Sequence, residues 1–461
     1  MRNPNFAVLV LLAGLVGWTA AACAEVLVRD WPRATLDELG GPDFTPLGAE
    51  RAGNADGSIP AWEGGLTRPP ANYQSGRQER DPWPQDPILH TVTADNVGQY
   101  VDLLSPGQRA LLKAYPATWR VPVYRSRRSA AFPEWVYQGV LANARRFAEA
   151  GAEATYEQAR ISSPFPIPRR GEEVMWNHNL RWRGLRIQRP LARAAVTPLG
   201  RFTLIVGDED IGIPYAAPQQ SRFSKEYPNV LLAIKSKFTG PSLLANDASL
   251  VLEPIDHRVS KRKAWSYLES LRRVVRQPFL AYHQPALNSD ALRTVDDYEL
   301  FNGGTDRFEW QLLGKREMLI PYNAYRLHSD QLAPEDIIRR GHINPAHTRY
   351  ERHRVWVVEG RLKADKQHVY SRRVFYLDED SWQVVVSESY DLEGQLWRVA
   401  EAHIVNFYTV PVPLATLYVY HDLKQRRYLV DGLDNQMTPY RFLESADPRE
   451  FSPNALLYYV R

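Results

Sequence analysis

The stretch RRVFYLDEDSWQVVVSESYDLEGQLWRVAEAH, Arg372 to His403, decides the fold. In its middle, Trp382, Val384, Val386 and Tyr390 alternate with Gln383, Ser387, Ser389 and Asp391. A period of two marks a strand with one apolar and one polar face, so the segment reads as a half-buried antiparallel strand. Asp378-Glu379-Asp380-Ser381 reads as the turn before it, after a strand over Arg372–Leu377. Carboxylates at such a turn face water, which favours a turn over the paired acids of a glycosidase. Asp391-Leu392-Glu393-Gly394 reads as the turn after it, with Gly394 where a positive φ is needed. The next strand runs from Gln395 to His403, which completes a three-stranded meander.

Working outward, further strands are expected at Arg354–Leu362, Glu309–Ile320, Thr416–His421 and Arg426–Val430. Lys263–Gln277 fits either a hairpin or a helix. Before about Gly184 the period is helical. Thr93 can cap a helix running to about Leu104, and Ser105-Pro106 restarts one that ends before Pro116. Pro133 to about Ala150 is a third, with Trp135, Val136, Val140, Ala144 and Phe147 near helical spacing. A shorter helix fits Gly171 to Trp182. The prolines of SSPFPIP, Ser162–Pro168, exclude helix there. Residues 25–90 read as an extended, loop-rich lead dense in Gly and Pro. The sum is an α+β chain with a single domain over residues 91–461. Its helices lie mainly in 91–183 and a large antiparallel sheet mainly in 184–431.

The first residues read as a secretory signal peptide over residues 1–24. Arg2 is followed by an apolar run from Phe6 to Trp18 and small residues from Thr19 to Ala24. The run is short for a membrane span. Ala22-Cys23-Ala24 fits a cut that releases a soluble periplasmic chain from Glu25. Alternatively Cys23 is the acylated first residue of an outer-membrane-tethered lipoprotein, although Ala20 stands where such signals usually carry Leu. Cys23 is the one cysteine, so cysteine zinc sites and catalytic thiols are excluded. The formal charge of +4 is mild for 461 residues, and the arginine pairs are scattered among plentiful acids. No nucleic-acid partner is expected from such a pattern.

Three segments resemble a known family. They are TPLGAERAGNADGSIPAWEGGL (Thr45–Leu66), PFPIP through WNHNLRWRG (Pro164–Gly184), and ERHRVWVVE (Glu351–Glu359) with RRVFYLDEDSWQ (Arg372–Gln383). Together they are similar to the bacterial domain of unknown function 1329 family, itself distantly similar to periplasmic outer-membrane lipoprotein-sorting proteins. AWSYLESLRRVVR (Ala264–Arg276) and NGGTDRFEW (Asn302–Trp310) echo the sorting proteins locally. The resemblance implies an open, curved antiparallel half-barrel covered on one side by helices, with an apolar cavity. It also implies that Lys263–Gln277 is a hairpin.

Candidate sites are few. Asn54, Asp56 and Glu63 fall at EF-hand spacings, but Ala52 stands where the first ligand is required, and an Asx-and-glycine turn explains them equally. His342, His347 and His353, near Glu351, lack zincin spacing. Trp176, His178, Arg181, Trp182 and Arg183 could line an apolar mouth and grip an anionic headgroup, or simply pin a helix to the sheet. Trp265, Tyr267 and Trp382 join them as candidate ligand contacts on the sheet. No nucleophile elbow, P-loop or dinucleotide fingerprint is present, and no cofactor is called for. The reading that results is a periplasmic carrier or chaperone of a hydrophobic or lipid-like molecule. The alternatives are an adaptor of an outer-membrane or export-pump complex, and a hydrolase of envelope lipid or glycan.

Overall fold

The structure, a computed structural model, describes residues 31–150, 159–278 and 281–460. The signal-peptide reading and Cys23 lie outside the described residues. Sixteen strands make one sheet. In chain order they are β1 (His90–Val92), β2 (Val121–Val123), β3 (Arg186–Val196), β4 (Ile205–Gly212), β5 (Val230–Gly240), β6 (Ala248–Pro254), β7 (Lys263–Leu268) and β8 (Arg273–Arg276). Then come β9 (Phe308–Pro321), β10 (Tyr350–Leu362), β11 (Arg372–Asp378), β12 (Val384–Tyr390), β13 (Leu396–Phe407), β14 (Val412–Asp422), β15 (Arg427–Asp431) and β16 (Arg441–Leu443). Three longer helices, α1 (Pro106–Ala114), α2 (Glu134–Ala150) and α3 (Gly171–Leu180), precede most of the sheet. The single-turn helices α4 (Arg222–Glu226), α5 (Pro334–Ile337) and α6 (Leu456–Tyr459) sit between or after strands.

The sheet has two arms. In one, β3 to β8 pair with their sequence neighbours; in the other, β9 to β15 do. The arms join where β15 pairs antiparallel with β3, Asp431 opposite Arg193. Among the described strands every pairing is antiparallel except a parallel bridge between Tyr350 of β10 and Val123 of β2. The ends of this path do not meet, so the sheet is open. The meander of Arg372–His403 is β11, β12 and β13, and Gly394 has φ of +77° in its second turn. Lys263–Gln277 is a hairpin, with Tyr267 opposite Val274.

Several local expectations need correction. β12 is buried along both faces, Ser387 and Ser389 included, rather than half-exposed. The reason is a second cover. Val399 of β13 faces α1, where Gly107 approaches so closely that a Cβ there would fall 2.8 Å from the valine. Its neighbour Ala400 belongs to the main core on the other face. Glu388 of β12 also points to the α1 side, accepting the Gly107 N–H at 2.5 Å. The segment after Thr93 is a 3-10 helix, Val97–Leu103, with Asn96 before it. α3 stops at Leu180, so Trp182 lies beyond the helix and does not share a helical face with His178. Among the described residues no helix is long and apolar enough to cross a membrane.

The main core fills the β9–β14 arm. Val174, Met175 and Trp176 of α3 join Trp356 of β10 and Trp382, and Trp382 stacks on Trp356 with centroids 5.8 Å apart. Trp31 meets Trp356 edge-on at 5.5 Å, so the start of the described chain closes over this arm. Each buried ring of this size removes roughly 150–250 Å² from water, about 25 cal/mol for each Å². The other arm is different.

Candidate functional site

Between β3–β8 and the 277–298 segment lies a cavity of about 380 Å³. Strand alternation builds its wall. Leu191, Ile234, Ser236, Ser249, Val251, Ala264 and Ser266 share one face, because Ile234 pairs with Val251, Ser249 with Ser266 and Val251 with Ala264. Leu244, Pro278, Leu287, Val295 and Tyr298 add to it, and Glu209, Asp247, Arg262, Gln277 and Asn288 bring polar groups. That size, and a lining of aliphatic and aromatic side chains mixed with polar ones, fall in the range of small-molecule sites. Leu287 is 63% exposed and marks the opening. At the same end of the arm, successive hairpin turns carry Leu199, Leu243 and Leu271, 68%, 89% and 51% exposed.

The inner end is charged. Arg193 and Asp431 pair across the arm junction at 3.2 Å, and Arg293 reaches the same carboxylate at 3.7 Å. Arg189 pairs with Glu209 at 2.8 Å and donates to the Tyr298 hydroxyl at 3.1 Å. Just behind, Arg181 and Arg183 both hold Glu299, at 2.6 and 2.9 Å. Burial alone would raise the Glu299 carboxyl, but Arg183 and Arg181 keep it well below the usual range. Burial followed by the Arg181 charge pushes the Arg183 guanidinium down to about 10.

The residues singled out from the sequence fall into two groups. Trp176, His178, Arg181, Trp182, Arg183 and Trp382 come together in the core and are buried. The Val384 N–H donates to His178 Nδ1 at 3.0 Å, and Nε2 lies 3.1 Å from the carbonyls of Glu299 and Phe301. That arrangement holds a neutral ring. Burial, with Arg181 and Arg183 nearby, pushes its pKa well down. Arg181 donates to the His178 carbonyl (2.6 Å) and Arg183 to that of Asn179 (2.9 Å), so both guanidiniums serve the protein itself. Trp182 meets Trp135 edge-on at 4.8 Å. Trp265 and Tyr267 belong to the cavity's wall strand, but they sit on its reverse face, with Ala248, Leu250, Phe451 and Leu456. The cavity side of that strand carries their neighbours Ala264 and Ser266.

The metal candidates are resolved by their bonds. Asn54 donates to Ser58 (2.9 Å) and Glu317 (3.0 Å), while Asp56 accepts the Ser58 N–H (3.0 Å) and pairs with Arg352 at 2.8 Å. This is an Asx turn pinned to β9 and β10, with Glu63 exposed beside it. His342 contacts the Thr118 hydroxyl at 2.9 Å, whereas His353 stacks on Tyr322 at 4.0 Å. His347 lines a separate, polar surface groove with Arg80, Asp81 and Asp330.

Asp378, Glu379 and Asp380 overturn their expectation. All three are buried, not facing water. Arg128 holds Asp380 at 2.6 Å and Glu379 at 3.4 Å, and Lys315 and Arg354 also reach Glu379, at 2.8 and 3.3 Å. Arg128 donates in addition to the carbonyls of Glu50 and Arg51, in the lead. The turn is therefore an ion-pair anchor for the lead, which local sequence does not reveal because its partners are distant along the chain. His353, Asp378 and Asp380 place donor atoms within 4.8 Å of one another and form the one such metal-sized group among the described residues. Asp380 is committed to Arg128. Burial, then the Asp380 charge, raises the Asp378 carboxyl, so a proton relieves the charge there.

Comparisons with known proteins agree on a family. An uncharacterized protein of Pseudomonas aeruginosa, PA3922, is 40% identical over 417 residues, covering 90% of this chain and 91% of its own. A domain from Vibrio parahaemolyticus assigned to outer-membrane lipoprotein sorting aligns with 59% of this chain and 91% of its own, at 13% identity and a TM-score of 0.40. A DUF1329 family protein from Desulfovibrio piger aligns with 59% and 92%, at 13% identity and 0.41. The sequence model of the family described as protein of unknown function (DUF1329) matches residues 91–457. The chain belongs to the DUF1329 family.

Proposed function

We propose that this protein is an exported carrier that holds a hydrophobic or lipid-like molecule in the cavity of the β3–β8 arm. One observation carries the reading. The β9–β14 arm is filled by its own side chains, whereas the other arm keeps about 380 Å³ behind an aliphatic wall. Left to water, such a wall is costly; an apolar guest gains about 25 cal/mol for each Å² it buries. The leader of residues 1–24 and the family's lipoprotein-sorting resemblance support a periplasmic setting, and the mass of the mature chain distinguishes release at Glu25 from acylation at Cys23.

The test is saturable binding of an apolar fluorophore, with Ala264→Trp as the cavity-filling variant. Wild type should bind one equivalent, and A264W should bind at least tenfold more weakly with an unchanged unfolding midpoint. Absence of saturable binding by wild type, or equal binding by A264W, sinks the carrier reading. A second reading, an adaptor in an envelope complex, rests on the exposed leucines of the three hairpin turns. It gains ground if a stable protein partner co-purifies with wild type but not with Leu243→Ser, and no apolar molecule is bound.

A further inference from the structure

The cavity's inner end says what kind of guest it takes. Arg193 and Arg293 line the cavity, with side chains only 9% and 7% exposed. Buried guanidiniums normally spend their donors on two-pronged carboxylate pairs or on backbone carbonyls, as Arg128 and Arg183 do here. These two do not. Arg193 meets Asp431 through its Nε alone, at 3.2 Å and out of hydrogen-bond alignment, and the Nε of Arg293 has no hydrogen-bond partner. They share one carboxylate, Asp431, and Arg293 stands 3.7 Å from it, beyond hydrogen-bond reach. Aromatic faces supply the rest of its setting, with Tyr298 and Tyr420 near 6 Å.

The charge balance around them points the same way. Arg181, Arg183, Arg189, Arg193 and Arg293 surround this inner end, and the carboxylates they meet are Glu209, Glu299 and Asp431. Arg193 and Arg293 thus share one carboxylate between them, whereas beyond them a single arginine, Arg373, serves both Asp296 and Asp297. An uncompensated charge out of water is expensive, and arginine is the side chain whose fork matches carboxylate and phosphate. Away from these arginines the sheet wall offers Leu191, Ile234, Val251 and Ala264 with three serines, which suits a tail, while Asp247, Arg262, Gln277 and Asn288 line other parts of the cavity.

From this, and resting on the cavity reading above, we infer that the guest is an anionic amphiphile. Its carboxylate or phosphate head is taken by Arg193 and Arg293 beside Asp431, and its apolar tail lies along Leu191, Ile234 and Val251.

Calorimetry on the full mature chain with dodecanoate, dodecyl phosphate, dodecanol and inorganic phosphate separates the possibilities without any mutation. The two anionic amphiphiles should bind at least tenfold more tightly than dodecanol, and the tighter of the two names the head. Arg293→Met should bring dodecanoate within about twofold of dodecanol while leaving dodecanol itself unchanged, and Arg193→Met serves if R293M does not fold. Dodecanol binding as well as dodecanoate overturns the head assignment and leaves the carrier reading standing. Inorganic phosphate binding as tightly as dodecyl phosphate overturns the amphiphile in favour of a plain anion site. Failure of every tailed compound to bind overturns this inference and the carrier reading together. An anionic preference that survives both arginine variants overturns the assignment to these residues.

Discussion

Glu401 shows how much a single buried group can govern. It sits in β13 facing α1, accepting from Gln108 Nε2 at 3.0 Å and the Tyr350 hydroxyl at 2.8 Å, with no cation paired to it. Burial pushes its carboxyl up to about 7 from 4.5, despite those two hydrogen bonds. Between these values the folded state holds a proton that the unfolded chain has released. The folded state binds more protons in this window, so Glu401's contribution to stability falls as pH rises from about 4.5 to about 7. Glu401→Gln keeps the geometry and removes the titration. Urea unfolding should find E401Q equal to wild type below pH 4.5 and more stable above pH 7, by up to about 3 kcal/mol. Equal stability at pH 8 would show that the carboxyl is not held neutral. Arg128 is the opposite case, a buried cation whose loss leaves Asp380 and Glu379 exposed to each other. Arg128→Met should cost about 3–5 kcal/mol in the same assay. A loss under 1 kcal/mol would mean that the network rearranges around the gap.

At the level of elements, the chain divides into parts that the sequence displays and parts that it hides. The meander was legible because alternation and turn chemistry agree over Arg372–His403, and α1 because Ser105, Pro106 and Gln108 form a cap with all its parts. The hairpin at Lys263–Gln277 was fixed by resemblance, since its own pattern suits a helix equally. Hidden were the two-faced burial of β12 and the burial of Asp378–Asp380, because both depend on α1 and Arg128, hundreds of residues away. The cavity's inward-pointing side chains were not legible. Trp265 and Tyr267 are among the residues lining the cavity, but their rings pack on the strand's reverse face while Ala264 and Ser266 point inward, and small side chains leave no pattern. β8 is an edge strand with four residues, none of them fully buried. Its unpaired-side amides should exchange with deuterium orders of magnitude faster than those of β12. Comparable protection would mean that something covers that edge. A bend elsewhere is stiff: Gly432 has φ of +97°, and a Cβ there would lie 2.0 Å from the Thr416 carbonyl oxygen. Gly432→Ala should therefore lower the unfolding midpoint while a surface Gly394→Ala, with open space around its Cβ, does so less.

For the molecule as a whole, one sheet serves two purposes. Its β9–β14 arm is a packed core sealed by α3 on one face, by α1 on the other and by the lead at Trp31 and Trp62. Its β3–β8 arm keeps a pocket. The rigid arm is what allows the other to stay hollow, since a cavity lined by Leu191, Ile234 and Val251 forfeits packing that must be regained elsewhere. Composition hints at this division, since Trp310, Trp356, Trp382 and Trp397 all fall in the later arm and only Trp265 in the earlier one, and it becomes plain once α1 and α3 are seen to pack on the later strands.

The junction of the two arms also sets a clock. β3 is made early and its partner β15 more than two hundred residues later, so a growing chain can stack β4 to β8 on β3 long before the other side of β3 has anything to pair with. The pocket's inner end, Asp431 against Arg193, comes into being only when nearly the last strand arrives. Until then the first arm is a half-sheet with a bare edge and two arginines lacking their shared carboxylate. Chain order thus leaves the contact of Asp431 with Arg193 to nearly the last strand, and a chain stopped short of residue 427 would have β3 to β8 without it.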